Sequence, residues 1–158
     1  MKEQATEKSV TSPDIASASH LLDVEIEGLQ ALKDVLDEQF VAAVNLIAST
    51  TGRLIISGMG KSGHVARKIA ATMASTGTPS YFVHPGEASH GDLGMITRND
   101  TVLLLSNSGE TAELRDIIGF CKRFSIPLIG MVRRRESTLV DEAKVALVLP
   151  EVPETSPT

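Results

Sequence analysis

Leu54-Ile55-Ile56-Ser57-Gly58-Met59-Gly60-Lys61-Ser62-Gly63 is an apolar run that ends in a glycine-rich turn, and an amphipathic segment follows at once. The run reads as a buried strand and the continuation as a helix, so the glycines mark a strand-to-helix turn. The pattern recurs at Val102-Leu103-Leu104-Leu105, which runs into Ser106-Asn107-Ser108-Gly109-Glu110-Thr111 and then a second amphipathic segment. Glycine lets a backbone turn sharply and lie close to a ligand. The first N–H groups of a helix have no partners inside it and favour an anion. With hydroxyls added, the two loops suit a small, phosphorylated, hydroxyl-rich molecule.

Strands and helices alternate outward from these loops. Predicted strands are Arg53–Ser57, Ser80–Val83, Thr101–Leu105, Pro127–Val132 and Val145–Leu149. Predicted helices are Gly63–Ser75 with Val65, Ile69 and Met73 on one face, Ala112–Phe124 with Leu114, Ile117, Ile118 and Cys121 inward, and Leu139–Ala143. Unbroken apolar strands separated by helices predict an α/β fold with a doubly wound, five-stranded parallel sheet flanked by helices. Ligands of such sheets bind beyond the strand C-terminal ends, where both loops lie. Before the first strand, Leu22, Ile26, Leu29, Leu32, Leu36, Phe40, Val44 and Ile47 recur at three- and four-residue steps. They predict one long N-terminal helix that stops at Gly52 and packs on its own sheet or on a second subunit. Residues 1–13 are polar and read as a disordered N-terminal segment, 14–149 as the domain, and 150–158 as a Pro-rich polar tail.

Composition narrows the class. The 158 residues suit one domain, and the formal net charge of −5 argues against a nucleic-acid surface. Aromatics make up 3% with no Trp, which removes base-stacking platforms. The single cysteine, Cys121, excludes an internal disulfide. No apolar run approaches the ~20 residues of a bilayer span and no signal-peptide pattern opens the chain, so the expectation is a cytoplasmic protein with no membrane partner.

Two familiar readings of the first loop fail. Gly58-x-Gly60-x-x-Gly63 matches a dinucleotide fingerprint, but the next strand ends in Val83-His84-Pro85 rather than in an acidic residue. Gly60-Lys61-Ser62 looks like the end of a triphosphate-binding loop, but position 55 is Ile where that loop needs glycine. The stretch His84-Pro85-Gly86-Glu87-Ala88-Ser89-His90-Gly91-Asp92 is dense in titratable groups. His84, Glu87 and His90 fall at three-residue steps, which one helical turn can gather around a metal. The same histidines suit contacts to substrate oxygens and proton exchange. Glu113, one turn beyond the serine loop, and Glu154, after the last strand, are candidate bases for taking a proton from carbon. Arg133-Arg134-Arg135 reads as a solvated loop from which one guanidinium can reach a phosphate.

Together the Gly58–His64 loop, Ala74-Ser75-Thr76-Gly77-Thr78-Pro79, Phe82–Met95 and Ser106–Glu110 resemble the sugar isomerase (SIS) domain, and within it the bacterial D-arabinose-5-phosphate isomerases. The resemblance runs from about Leu21 to Glu154, and His84–Met95 carries most of its specificity. It implies a flavodoxin-like SIS fold and interconversion of D-ribulose 5-phosphate and D-arabinose 5-phosphate through an enediol, for Kdo, lipopolysaccharide or capsule. The alternative is a non-catalytic sugar-phosphate-binding SIS module. The resemblance implies catalytic roles for Lys61, Glu113 and Glu154. It implies sugar-phosphate contacts from Ser62, Gly77, Thr78, His84, His90, Ser106, Ser108 and Thr111. It implies no required cofactor, with zinc binding at His84 as an inhibitor, and a homo-oligomer, dimer or tetramer, whose sites borrow residues from a neighbour. Family members continue past this tail with a closing helix, a further catalytic histidine and a pair of CBS domains, so the resemblance implies a truncated SIS domain. Val132 and Arg133 stand where the family usually has small polar residues.

Overall fold

The structure, a computed structural model, describes residues 12–153. Five strands, β1 (Leu54–Gly58), β2 (Ser80–Phe82), β3 (Thr101–Ser106), β4 (Leu128–Val132) and β5 (Val145–Val148), form one sheet in the order β2-β1-β3-β4-β5. Every pairing is parallel, as expected of apolar strands joined by helical crossovers. The chain leaves β1 for β2 on one side, then returns to place β3 on the other. β1 and β3 therefore flank the point where the winding reverses, and Gly58 pairs with Leu105 at its mouth.

The helices are α1 (Pro13–Asp34), α2 (Glu38–Ala48), α3 (Gly60–Ser75), α4 (Pro85–Ser89), α5 (Arg115–Phe124) and α6 (Thr138–Glu142). Successive strand residues point to opposite faces, which sorts the core into two layers. Leu54, Ile56, Leu103, Leu105 and Ile129 pack on one face with Ala43 of α2 and with Ala66 and Ala70 of α3. Ile55, Val102, Leu104, Leu128 and Val132 pack on the other with Leu114, Ile117, Ile118 and Cys121, and with Leu139 of α6. The inward face predicted for the helix after the serine loop is the buried one. Asp100 clamps the sheet's other edge: one carboxylate oxygen accepts from Arg53 N at 2.7 Å, the other from Thr97 N at 2.7 Å.

Three local expectations need correction. The single long N-terminal helix is two, because Asp37 turns extended and its carboxylate accepts from Gln39 N at 2.8 Å, which starts α2 with a side-chain cap. The chain divides there into two compact units, Val35–Leu149 and a unit that holds α1 and the residues from Pro150. In α1 no residue is buried, and Leu22, Ile26 and Leu29 are exposed. In α2, Phe40 and Val44 of the predicted stripe are exposed, while Ala43 is buried. Gly52 is not a helix stop: α2 ends at Ala48, and a Cβ at 52 would strike the Asp100 carboxylate and the Asn99 carbonyl oxygen, the latter at 2.6 Å. In α3 the predicted inner face holds at Ile69 and Met73, which are half-buried and pack on the core, and fails at Val65. Val65 is 52% exposed, and the buried residues are Gly63, Ala66 and Ala70. Where the helix lies closest to the sheet there is room only for small side chains.

Two stability measurements check this packing. Val65→Ala is expected to shift unfolding free energy by less than ~0.5 kcal/mol, whereas Ala70→Leu costs about 1–3 kcal/mol through overpacking; urea unfolding of both variants decides which face of α3 is inward. Ser125 ends α5 with φ +55°, a left-handed position that favours glycine, so Ser125→Gly is expected to raise stability by up to ~1 kcal/mol.

Candidate functional site

All strands run the same way, so the segments that follow them share one edge. Along that edge come His84 after β2, Lys61 after β1, the Ser106–Thr111 loop after β3, and Arg133 after β4. Neighbouring strands lie ~4.8 Å apart, so the two glycine-containing loops begin side by side. Gly58 permits this closeness: a Cβ there would sit 3.0 Å from the Ser62 carbonyl and 3.1 Å from Leu105 O. Gly63 is equally constrained, with the Gly58 carbonyl oxygen 2.6 Å from where a Cβ would stand. The start of α3 is thereby pressed against the end of β1.

Nothing from a side chain caps α3. Its N-cap residue is Met59, and Gly60 takes φ +56°. The helix-start N–H groups thus retain their capacity for an anion. Lys61 is exposed in this first turn and Ser62 is half-buried. Facing it across the reversal, the serine loop is ordered from within. Gly109 N donates to Ser106 Oγ at 3.0 Å, Ser106 Oγ and Thr111 Oγ1 are 2.7 Å apart, and Glu110 N donates to Ser108 Oγ at 3.2 Å. The loop is therefore already shaped by its own bonds, and a loop held in one conformation lowers the entropic cost of binding. Glu113 follows in the short 3-10 turn Ala112–Leu114 and is exposed at the same edge.

His84 and His90 bracket α4, the first as N-cap and the second as C-cap. His84 Nδ1 accepts from Gly86 N at 3.1 Å. Neutral His84 accordingly carries its proton on Nε2 and offers a donor outward. His84, Glu87 and His90 do not close on a common point. Among the described residues no group of three or more His, Cys, Asp or Glu is placed to hold a metal ion. Gly77 and Thr78 stand apart from the rest: they follow the far end of α3, a 16-residue helix that is ~24 Å long, and precede β2 at the sheet's opposite edge. Glu154 lies outside the described residues. The sole cysteine is no nucleophile, since burial pushes the Cys121 thiol up to about 12.

Residues 46–158 match the family model of the SIS domain. The chain belongs to the SIS domain family. It is 51% identical over 133 residues to the arabinose 5-phosphate isomerase KdsD of Pseudomonas aeruginosa, covering 84% of this chain and 41% of that protein. Against the KdsD of Salmonella typhi it is 47% identical over 131 residues, covering 83% and 40%. The chain thus spans about two fifths of the length of these curated relatives. The structure of c3406 from E. coli CFT073 in complex with A5P superposes with a TM-score of 0.86 at 38% identity, covering 92% of this chain and 78% of that one.

One SIS-domain residue of this edge carried no sequence signal of its role. In the sequence Glu110 is only part of the loop, yet its carboxylate reaches the start of α6, accepting from Thr138 N at 2.6 Å and from Thr138 Oγ1 at 2.9 Å. The pattern that would reveal it spans two loops far apart in the chain. The Thr138 N–H holds the Glu110 carboxyl below the usual carboxylate range, helped by the Thr138 hydroxyl and by the Arg134 and Arg115 guanidinium groups. A carboxyl lowered on folding stabilises the native state above its ordinary value near 4.5, and that gain is lost as pH falls through the folded value. Glu110→Gln is therefore expected to be less stable than the parent at pH 7, with the gap narrowing under acid. Urea unfolding at pH 7 and near pH 3.5 measures it, and an equal gap at both would leave the charge without a role.

Proposed function

We propose that this SIS domain serves an aldose–ketose isomerase that interconverts D-ribulose 5-phosphate and D-arabinose 5-phosphate. The observation that carries the reading is the A5P complex of a structure that matches 92% of this chain at 38% identity. The identity to KdsD arabinose 5-phosphate isomerases supports the same reaction. The geometry suits it. The Ser106, Ser108 and Thr111 hydroxyls, with the uncapped α3 start and Ser62, supply donors for a phosphate at the reversal point. The sugar then extends along the edge toward α4, where His84 offers Nε2–H to an oxygen and His90 stands at the far end of the same helix.

The isomerisation needs no oxidant. A carboxylate takes the C2 proton of the aldose, giving an enediol, and returns it to C1, while a proton passes from O2 to O1. Negative charge that builds on oxygen is met by the Lys61 ammonium. Glu113 or Glu154 is the base. Gly77 and Thr78, at the opposite edge of their own sheet, fit a substrate contact made to a neighbouring subunit's ligand, in keeping with a dimer or tetramer. On this reading the product supplies the Kdo sugar of lipopolysaccharide or capsule in the cytoplasm. No cofactor is required, and zinc at His84 inhibits by taking Nε2. Among the described residues no helix is long and apolar enough to cross a membrane.

Ribulose 5-phosphate incubated with the chain, followed by carbon NMR, and A5P titrated by calorimetry test the reading together. Turnover supports it. Binding without turnover favours a sugar-phosphate-binding module, and neither overturns both. In an active protein Lys61→Met is expected to lower kcat by about 10²–10³. Glu113→Gln is expected to lower it by about 10²–10⁴; near-normal turnover would assign the base to Glu154.

A further inference from the structure

Helix α6 begins without a cap of its own. Its N-cap residue, Ser137, donates its hydroxyl to the Arg134 carbonyl at 3.2 Å instead of turning it to the helix. The helix-start groups are answered from another loop. Both oxygens of Glu110 are committed to Thr138, one to its N–H and one to its hydroxyl. The next amide, Leu139 N, donates to the Gly109 carbonyl at 3.2 Å. Two consecutive residues of the serine loop thus end on two consecutive residues of α6. A further stitch lies two residues back, where Asn107 O accepts from Arg133 N at 3.1 Å and from Arg134 N at 3.2 Å.

The stitching leaves no slack. Gly109 takes φ +70°, and a Cβ there would lie 2.5 Å from Ser137 Cβ. The backbone passes against α6's first residues with only a hydrogen in the gap. The same residue supplies the N–H that holds Ser106 Oγ, which in turn pairs with Thr111 Oγ1. Tension on the α6 side of the loop is therefore tension on the hydroxyls at its ligand side. Glu110 is a poor candidate for contact with a phosphate, because like charges repel and its oxygens are already engaged.

We propose that Glu110 is a positioning residue: its carboxylate straps the Ser106–Thr111 loop to the start of α6 and so sets the loop's affinity for a sugar phosphate without touching it. The proposal rests on the reading of this loop as the phosphate cradle. Charge is part of the device, since Arg134 and Arg115 favour the carboxylate over its neutral form. A strap of this kind keeps the loop in one conformation before the ligand arrives, so its loss appears in binding.

Two readouts on the whole chain test the strap: A5P affinity by calorimetry, and amide hydrogen exchange at Gly109 and Leu139 without ligand. Glu110→Ala is expected to weaken A5P binding about tenfold and to speed both amides about tenfold. Thr138→Ser keeps both bonds and is expected to match the parent. Thr138→Val removes only the hydroxyl bond, should fall between, and serves if Glu110→Ala does not fold. Parent-like affinity and exchange in Glu110→Ala, or in Thr138→Val where it stands in, overturn the proposal, even with a lowered Tm. A parent chain that fails to bind A5P sinks the functional reading and the affinity claim together. Exchange then still decides whether the strap exists.

Discussion

The close approach of α3's first turn to the end of β1 is the constraint on which the rest of the structure depends. It exists because positions 58 and 63 have no side chain, so the carbonyl of one can sit where the Cβ of the other would be. With that approach in place, the helix leaves β1 at once, its uncapped start faces the reversal of the sheet, and Lys61 stands at the rim. Parallel pairing of β1 with β3, in register from Leu54–Thr101 to Gly58–Leu105, then brings the serine loop alongside. A strand order without that reversal would separate the two loops by the width of a strand or more.

The two sides of the site are built differently. The α3 side contributes a fixed backbone end and the exposed cation of Lys61. The β3 side is a loop held from three directions: by its own hydroxyls, by the backbone after β4, and by the start of α6. This division suits a sugar phosphate, whose phosphate wants many fixed donors and whose reacting carbons want a few groups free to move protons. Histidine is placed between these extremes. His84 is half-buried and spends Nδ1 on capping α4, which settles the orientation of its ring, while Nε2 remains for chemistry.

Much of this was legible in the chain itself. Runs such as Leu54–Ile56 and Val102–Leu105 mark buried parallel strands because both of their faces must be apolar. The serine loop and the Gly58–Gly63 loop mark strand-to-helix turns because few residues other than glycine make them. The inner face of the helix around Ile117 and Cys121 followed from spacing. Spacing misled where size and burial part company. Val65 has the spacing of an inward residue and points out, because α3 sets its small residues Ala66 and Ala70 deepest against the sheet, with Ile69 and Met73 packing half-buried beside them. The break between α1 and α2 was hidden by a stripe that runs through it, since periodicity does not register that Asp37 caps the second helix. Gly52 has the position of a helix stop, but its lack of a side chain answers to Asn99 and Asp100, distant in sequence.

By itself, then, the sequence determined the element types, the parallel sheet, and the polar groups that loop chemistry gathers at the C-terminal ends of its strands. These depend on neighbours within a few residues, where apolar periodicity, glycine and hydroxyls act directly. Tertiary structure alone decided the strand order that sets β1 beside β3, the distance of Gly77 and Thr78 from the remaining candidates, and the reach of Glu110 to Thr138. Each is a meeting of segments remote in the chain. Such meetings are chosen by how two faces of a sheet can be covered at close-packed density, which no local pattern records.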